Sequence, residues 1–395
     1  MNVEKVLHKL LKKSSLSCHK SRLKALSTNV DSLLYGRCLS VTGLGRSSRR
    51  SSHTKHAIKQ SDRLVGNTHL FHERIQFYQA MCRLLVKPKH PRILVDWSDI
   101  TETHSFIVLR ASIAFDGRSF TLYEQVHEVT AYANRKAQHA FLKTLSSILP
   151  NDCQPIIITD AGFQCPWFKA VEALGWYWVG RLHGSNHIRT GAEQWLSCNT
   201  LYRQATARVK HYYDVQISRK NELNCNLYSL KEPAKFRKKK TKTGAIARST
   251  KSQKYSRRES KPWIIVTNLP RELAKPKTVI NLYKTRMQIE ESFRDMKSHR
   301  FGFSLRYCLS RTQLRYANLL LIAMLASFIA LVMGCYAEHK KHHYRYQANT
   351  IKSRRVLSLQ YLALEIISKG QQTMSQRDWQ NALIVLMDKI NYDLD

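Results

Sequence analysis

The sequence predicts an α/β fold with all-helical regions at either end. Between residues 91 and 183, apolar runs of strand length alternate with segments of helical periodicity. Outside that stretch helical spacing dominates, through Leu23, Leu26, Val30, Leu33 and Leu34 near the start and Leu359, Leu362, Leu364 and Ile366 near the end. The 395 residues are 43% apolar, enough for one large core or two to three smaller ones, which excludes disorder as the overall state.

Residues 1–90 read as short helices with basic faces. Leu7, Leu10 and Leu11 stand among lysines, a pattern without the continuous apolar run of a secretory signal. Ser40–Gly45 carries two glycines ahead of the basic stretch Arg46–Arg50, and a further helical pattern through Ala57, Ile58 and Leu64 ends at Gly66-Asn67. A helical module, a turn and a basic helix suit a DNA-binding domain of helix-turn-helix kind, and equally a plain helical packing domain.

From Pro91 the pattern turns to strands: Ile93-Leu94-Val95, Phe106–Phe115, and Phe120, Leu122 and Val126 after an Asp116-Gly117 turn. A helix over 134–149 stops at Pro150-Asn151, and Ile156-Ile157-Ile158 makes a buried strand. A short helix over 166–174 then precedes the aromatic strand Trp176–Val179. This order belongs to ribonuclease H-like α/β domains, and other α/β folds share it. Residues 184–260 break the grammar with short polar and β-branched pieces. Residues 235–258 hold the densest positive run, including Lys238, Lys239 and Lys240, either a solvated loop or a segment that contacts phosphates. Strand character returns at Trp263–Val266 and a long helix begins after Pro276, so 261–312 reads as the second part of the α/β core begun at 91–183. Residues 313–395 form a C-terminal helical region.

Lys and Arg number 65 against 28 Asp and Glu, a formal charge of +37 that calls for a polyanionic partner, nucleic acid before an anionic membrane surface. The nine cysteines are scattered, with no C-x-x-C, which indicates neither a disulfide framework nor a zinc site and makes a reducing cytoplasm the expected compartment. The uncharged run Tyr316–Cys335 is long enough to span a bilayer. Asn318 and Ser327 interrupt it and no second candidate exists, so a helix buried within a large domain is the preferred reading and no membrane partner is expected.

Three acids fall where burial is expected: Asp96 after the run ILV, Asp160 after III, and Glu290 within the helix that follows Pro276. Isolated buried carboxylates are costly and persist where a counter-ion holds them. In open α/β sheets the functional crevice lies beyond the carboxyl ends of strands, where Asp160 would sit and Asp96 would approach it. Acids alone suffice for Mg²⁺, which binds few protein ligands and keeps its waters. The pairs His183/His187 and His339/His342 lack a third ligand nearby. On one continuous helix Tyr283, Arg286, Glu290, Arg294 and Lys297 would share about a quarter of the circumference, a face for holding phosphates near metal. The same spacing also gives ordinary i,i+4 ion pairs on a solvated helix.

Tyr283, Arg286, Glu290 and Lys297 read Y-x2-R-x3-E-x6-K. With RILVDWSDI, LRASIAFDGRSFTLYE, ITDAGFQCPWFKAVEALGWYWVGR, KPWIIVTNLP and LYKTRMQIEESFRDMKS, they resemble the DDE transposases of bacterial insertion sequences. The likeness is closest to the insertion-sequence-four family, in the branch of the ten-type composite transposon, and covers nearly the whole chain. It implies a ribonuclease H-like catalytic core interrupted by a β-rich insertion. Asp96, Asp160 and Glu290 would be catalytic acids holding two Mg²⁺ ions, with Mn²⁺ as a substitute. Tyr283, Arg286 and Lys297 would engage terminal phosphates, and Trp263 would stack on a flipped base near the element's end, where a flat side chain repays part of the unstacking cost. Arg294 and Lys238–Lys240 would add DNA contacts. Asp99, Glu102 and Glu291 match no catalytic role. The resemblance implies terminal inverted repeats and target DNA as partners, a homodimer on DNA, and cut-and-paste chemistry through a hairpin in a bacterial cytoplasm. Other readings are a different ribonuclease H-like nuclease, which would cut without joining, and a non-enzymatic DNA-binding regulator, which would not cut.

Overall fold

The structure, a computed structural model, describes residues 18–50, 52–87, 89–184, 186–191, 193–232, 249–250, 261–370 and 374–390. The chain divides into two compact units, Met1–Cys153 with Met287–Asp395, and Gln154–Arg286.

The first unit opens with helices α1 (Lys20–Gly36), α2 (Val41–Arg46), α3 (Thr54–Val65) and α4 (Thr68–Leu85). The sequence places a turn and then a basic helix at 40–50, and the structure differs. The glycine-bearing segment is itself helical, capped by Ser40, whose Oγ accepts from the Gly43 amide at 3.1 Å. Arg49 and Arg50 lie in the irregular stretch behind it. Gly45 is required by close packing, because a Cβ there would stand 2.4 Å from Ile58 Cα on α3.

Strands β1 (Arg92–Asp99), β2 (Phe106–Phe115) and β3 (Arg118–Glu128) follow as an antiparallel meander in the order β3-β2-β1. Asp116 and Gly117 both take positive φ, 39° and 76°, the backbone that a tight hairpin needs to match strand twist. β2 is buried at every position but its first, so both its faces are covered. Register sets Asp96 opposite Arg110, and Arg110 opposite Glu124. Helix α5 (Arg135–Ile148), capped by Asn134, packs on α4.

The second unit starts with β4 (Ile156–Thr159), α6 (Cys165–Glu172) and β5 (Tyr177–Leu182), a βαβ step whose two strands pair in parallel. Phe168 of α6 stacks on Trp178 of β5 with centroids 4.2 Å apart. Then come β6 (His187–Thr190), β7 (Leu196–Ser197), α7 (Cys198–Gln204), β8 (Lys210–Ile217), β9 (Leu223–Leu230), β10 (Trp263–Thr267) and α8 (Pro276–Lys284). The strands of this unit are ordered β4-β5-β10-β9-β8-β6-β7, antiparallel from β5 onward. Both units thus combine sheet with helix, an α/β architecture overall.

The sequence predicts one helix running on from Pro276 through Lys297, and the structure breaks it. The amides of Thr285 and Arg286 reach back only three residues, to the carbonyls of Leu282 and Tyr283 at 3.1 Å each. Thr285 Oγ1 also donates to Leu282 O at 2.6 Å. A hydroxyl that takes a helix carbonyl competes with the ladder, and the tightened turn ends α8. Helix α9 (Met287–Lys297) then begins the return into the first unit. Tyr283 and Arg286 therefore lie outside the helix that carries Glu290, Arg294 and Lys297.

Helix α10 (Gln313–His339) buries 20 of its 27 residues against α1, α3, α4, β3, α11 (Leu359–Ser368) and α12 (Gln376–Ile390). It is long and apolar enough to cross a membrane, and here it is the central core helix of its unit. The buried Asn318 is satisfied at Nδ2, which donates to the carbonyls of Val65 and Asn67 at 3.0 Å each. Gly334 lets α11 approach, since a Cβ there would lie 2.3 Å from Leu359 O.

Candidate functional site

The sequence-predicted residues divide between the two units. Asp96, Glu290, Arg294 and Lys297 belong to the first, and Asp160, Trp263, Tyr283 and Arg286 to the second. Lys238, Lys239 and Lys240, with most of the 235–258 basic run, lie outside the described residues.

In the first unit Asp96 is half-buried in β1, and its Oδ1 accepts from the Trp97 amide at 2.8 Å. Helix α9 packs on β1, β2 and β3. Glu290 is exposed in its first turn, and Lys297 stands in its last. Lys297 Nζ donates to Ser98 Oγ at 2.6 Å, which ties the end of α9 to the strand of Asp96. Burial pushes the Lys297 ammonium down to about 8, with Arg110 and Arg306 adding to the fall and Asp99 and Asp96 opposing it. Arg294 is exposed and pairs with Glu291. Asp99 is exposed and meets His104 at 3.2 Å.

Several residues that sequence reasoning missed fix α9 on the sheet. Ser292 Oγ donates to Ser119 O at 2.7 Å and accepts from the Ser119 amide at 2.9 Å. Asp295 is buried and takes the Arg118 Nε at 2.8 Å, and burial raises its carboxyl despite that partner. Arg110, 4% exposed, lies under the helix with its guanidinium 4.5 Å from the Phe293 ring centroid and 3.0 Å from Met296 Sδ, paired to the equally buried Glu124. The available signal was a lone arginine inside the apolar run FIVLRASIAF followed by a glutamate in the middle of the next strand.

In the second unit Asp160 directly follows β4, and its Oδ1 accepts from the Gly162 amide at 2.8 Å, an Asx-type turn that holds the carboxylate at the strand end. Tyr283 is 4% exposed and meets Trp263 edge-on, ring centroids 5.2 Å apart. Burial pushes the Tyr283 hydroxyl up, Arg286 and Arg181 pull it down, and Asp160 pushes it up. Those influences place Asp160, Arg181 and Arg286 in one neighbourhood around the phenol. Arg181, unforeseen from sequence, lies on β5 and donates to the carbonyls of Lys261 and Pro262 at 3.4 and 3.3 Å, anchoring the approach to Trp263.

Each unit thus presents acid, cation and aromatic groups together, an arrangement able to neutralise and orient a phosphate. Asp96, Asp160 and Glu290 are a donor set of hard carboxylate oxygens, the chemistry that suits Mg²⁺. Among the described residues, no three His, Cys, Asp or Glu side chains are grouped to hold an ion. No curated protein matches the sequence. The family model for the transposase DDE domain matches residues 87–329, more than half of the chain and the stretch that carries all three acids, and the protein belongs to that family.

Proposed function

We propose that the protein is a cut-and-paste DNA transposase of the insertion-sequence-four type, like the transposase of the ten-type composite transposon. Its residues 91–183 and 261–312 form a ribonuclease H-like core, 184–260 the insertion, 1–90 a DNA-binding region and 313–395 a helical region. The observation that carries this reading is the placement of Glu290 and Lys297 on one helix packed against the strand of Asp96, all inside the stretch matched by the DDE family.

Asp96, Asp160 and Glu290 would hold two Mg²⁺ ions, for which Mn²⁺ can substitute. When bound, such ions activate the attacking oxygen and neutralise the leaving oxygen of an in-line displacement. Lys297, Arg286 and Tyr283 hold the phosphates beside the scissile bond, so that the reacting oxygen and phosphorus stay aligned. Trp263 offers its free area to a base drawn out of the stack, while Arg294 and Lys238–Lys240 add backbone contacts. Water hydrolyses one strand at the element's end, and the freed 3′ hydroxyl attacks a phosphodiester of the opposite strand, closing a hairpin and releasing the flanking DNA through its 3′ oxygen. A second water reopens the hairpin, and the regenerated 3′ hydroxyl attacks a target phosphodiester, displacing a target 3′ oxygen as the end is joined. The working form is a dimer on DNA in a bacterial cytoplasm.

Incubation with duplexes that carry the element's ends tests the reading. Cleavage and joining are expected with Mg²⁺ or Mn²⁺ and should disappear on chelation, with binding retained. Cutting without joining would make the protein a nuclease of related fold, and binding without any cutting would make it a regulator.

Lys297 adds a pH dependence whose sign follows from its environment. Its lowered pKa means that the cation able to grip phosphate is present below about pH 8 and is lost above it. At fixed salt, DNA affinity is therefore expected to fall between pH 7 and 9, and Lys297→Arg should flatten that fall because a guanidinium stays charged. Lys297→Ala should reduce the slope of log affinity against log salt by about 1. An unchanged pH profile in Lys297→Arg would remove the lysine from the phosphate site.

A further inference from the structure

The segment between α9 and α10 carries the most exposed large apolar side chain among the described residues. Leu309 is 89% exposed, and Tyr307 beside it is 57% exposed. An apolar side chain held fully in water has no folding reason to be there, and a floppy loop would explain it. This loop is tied down immediately before the tip. Leu305 and Cys308 are buried, the Tyr307 and Cys308 amides close a tight turn onto Ser304 O and Leu305 O at 3.0 and 2.9 Å, and the buried Tyr316 hydroxyl donates to Cys308 O at 3.1 Å.

The surroundings select the partner. From Ser298 to Thr312 the chain has no acid, and it exposes Arg300, Arg306 and Arg311. Arg306 is close enough to Lys297 to help depress its ammonium, so the loop adjoins the cation assigned to DNA phosphate. Charge of one sign around a rigid apolar point fits duplex DNA, whose phosphates take the cations and whose base steps accept a wedge. Proteins that bend DNA insert Leu, Phe, Ile or Met between base pairs in this way, accepting the unstacking cost for the contacts that a bend creates.

We propose that the 305–311 loop is a DNA wedge, in which Leu309 enters a base step of the duplex while Arg306 and Arg311 hold the flanking phosphates. This rests on the transposase reading and adds to it a residue that deforms the DNA. Leu309 supports no core, so its replacement leaves the fold intact.

The test places 2-aminopurine at successive positions of a duplex carrying an element end, and reads unstacking as fluorescence. The full-length wild-type chain is expected to brighten the probe at one step that still brightens in Trp263→Ala, Leu309→Met to do the same, and Leu309→Ala to lose the signal at that step. Affinity of Leu309→Ala for the intact duplex should fall roughly tenfold and recover on a duplex with an abasic site or mismatch at that step, where unstacking is already spent. Equal brightening by wild type and Leu309→Ala would overturn the wedge. So would equal weakening of Leu309→Ala on intact and interrupted duplexes, or loss of a protein dimer with the fluorescence unchanged. If the wild-type chain binds DNA and never cuts it, the transposase reading fails. The unstacking signal needs no chemistry and still decides the wedge.

Discussion

Replacing Asp160 with asparagine is expected to lower DNA cleavage by about a thousandfold while leaving DNA binding equal or slightly tighter. The magnitude follows from the ions that the carboxylate would hold, worth several kcal/mol of transition-state charge stabilisation, at about 1.4 kcal/mol per decade of rate. The substitution isolates charge from shape. Asparagine keeps an oxygen for the Gly162 amide, so the turn after β4 survives. Asp96→Asn likewise keeps an acceptor for the Trp97 amide. Glu290→Gln changes an exposed position at the start of α9. Removing a negative charge from a site that receives phosphates cannot weaken binding through repulsion, which separates this effect from loss of a DNA contact. Single-turnover cleavage and gel-shift affinity measured on the same preparations decide the matter. Cleavage at near wild-type rate by any of the three would take that residue out of the catalytic set.

How much of this was legible depended on whether a feature is local. The strands β1 to β3 announce themselves through apolar runs, and the Asp116-Gly117 turn through the need for positive φ. The burial of α10 could be read from an uncharged helix-length run containing an asparagine, which needs a partner that only protein supplies. The interruption at Thr285–Arg286 could not, because it depends on a threonine hydroxyl choosing the Leu282 carbonyl, a choice equally open to threonines inside intact helices. The Arg110–Glu124 pair was hidden for another reason. Its partners are 14 residues apart, and they meet through a strand register that no single-strand pattern fixes. The acids stood out as residue types, while the division that puts Asp160 in one compact unit and Asp96 with Glu290 in the other follows from topology alone.

Glu124→Gln is expected to destabilise the first unit by about 3–5 kcal/mol, the cost of leaving a buried cation without its counter-charge. Glu124 accepts from Arg110 Nε at 2.8 Å and from the Tyr78 hydroxyl at 3.3 Å, and both charged side chains are almost fully buried. Glutamine keeps the shape and part of the hydrogen bonding, so the loss reads the charge. Replacing all three groups, as Arg110→Met with Glu124→Leu and Tyr78→Phe, should recover most of that loss, since an apolar trio leaves no orphaned donor or charge. The triple variant also separates stability from function. With Arg110 gone, one of the two cations that depress Lys297 is removed, so the ammonium should persist to higher pH. The loss of DNA affinity above pH 8 should shift upward in the triple variant. Thermal unfolding, together with affinity against pH, reads both effects. A triple variant as unstable as Glu124→Gln would show that the ion pair is more than a replaceable filling under α9. Recovered stability with an unmoved pH profile would show that Arg110 does not act on Lys297.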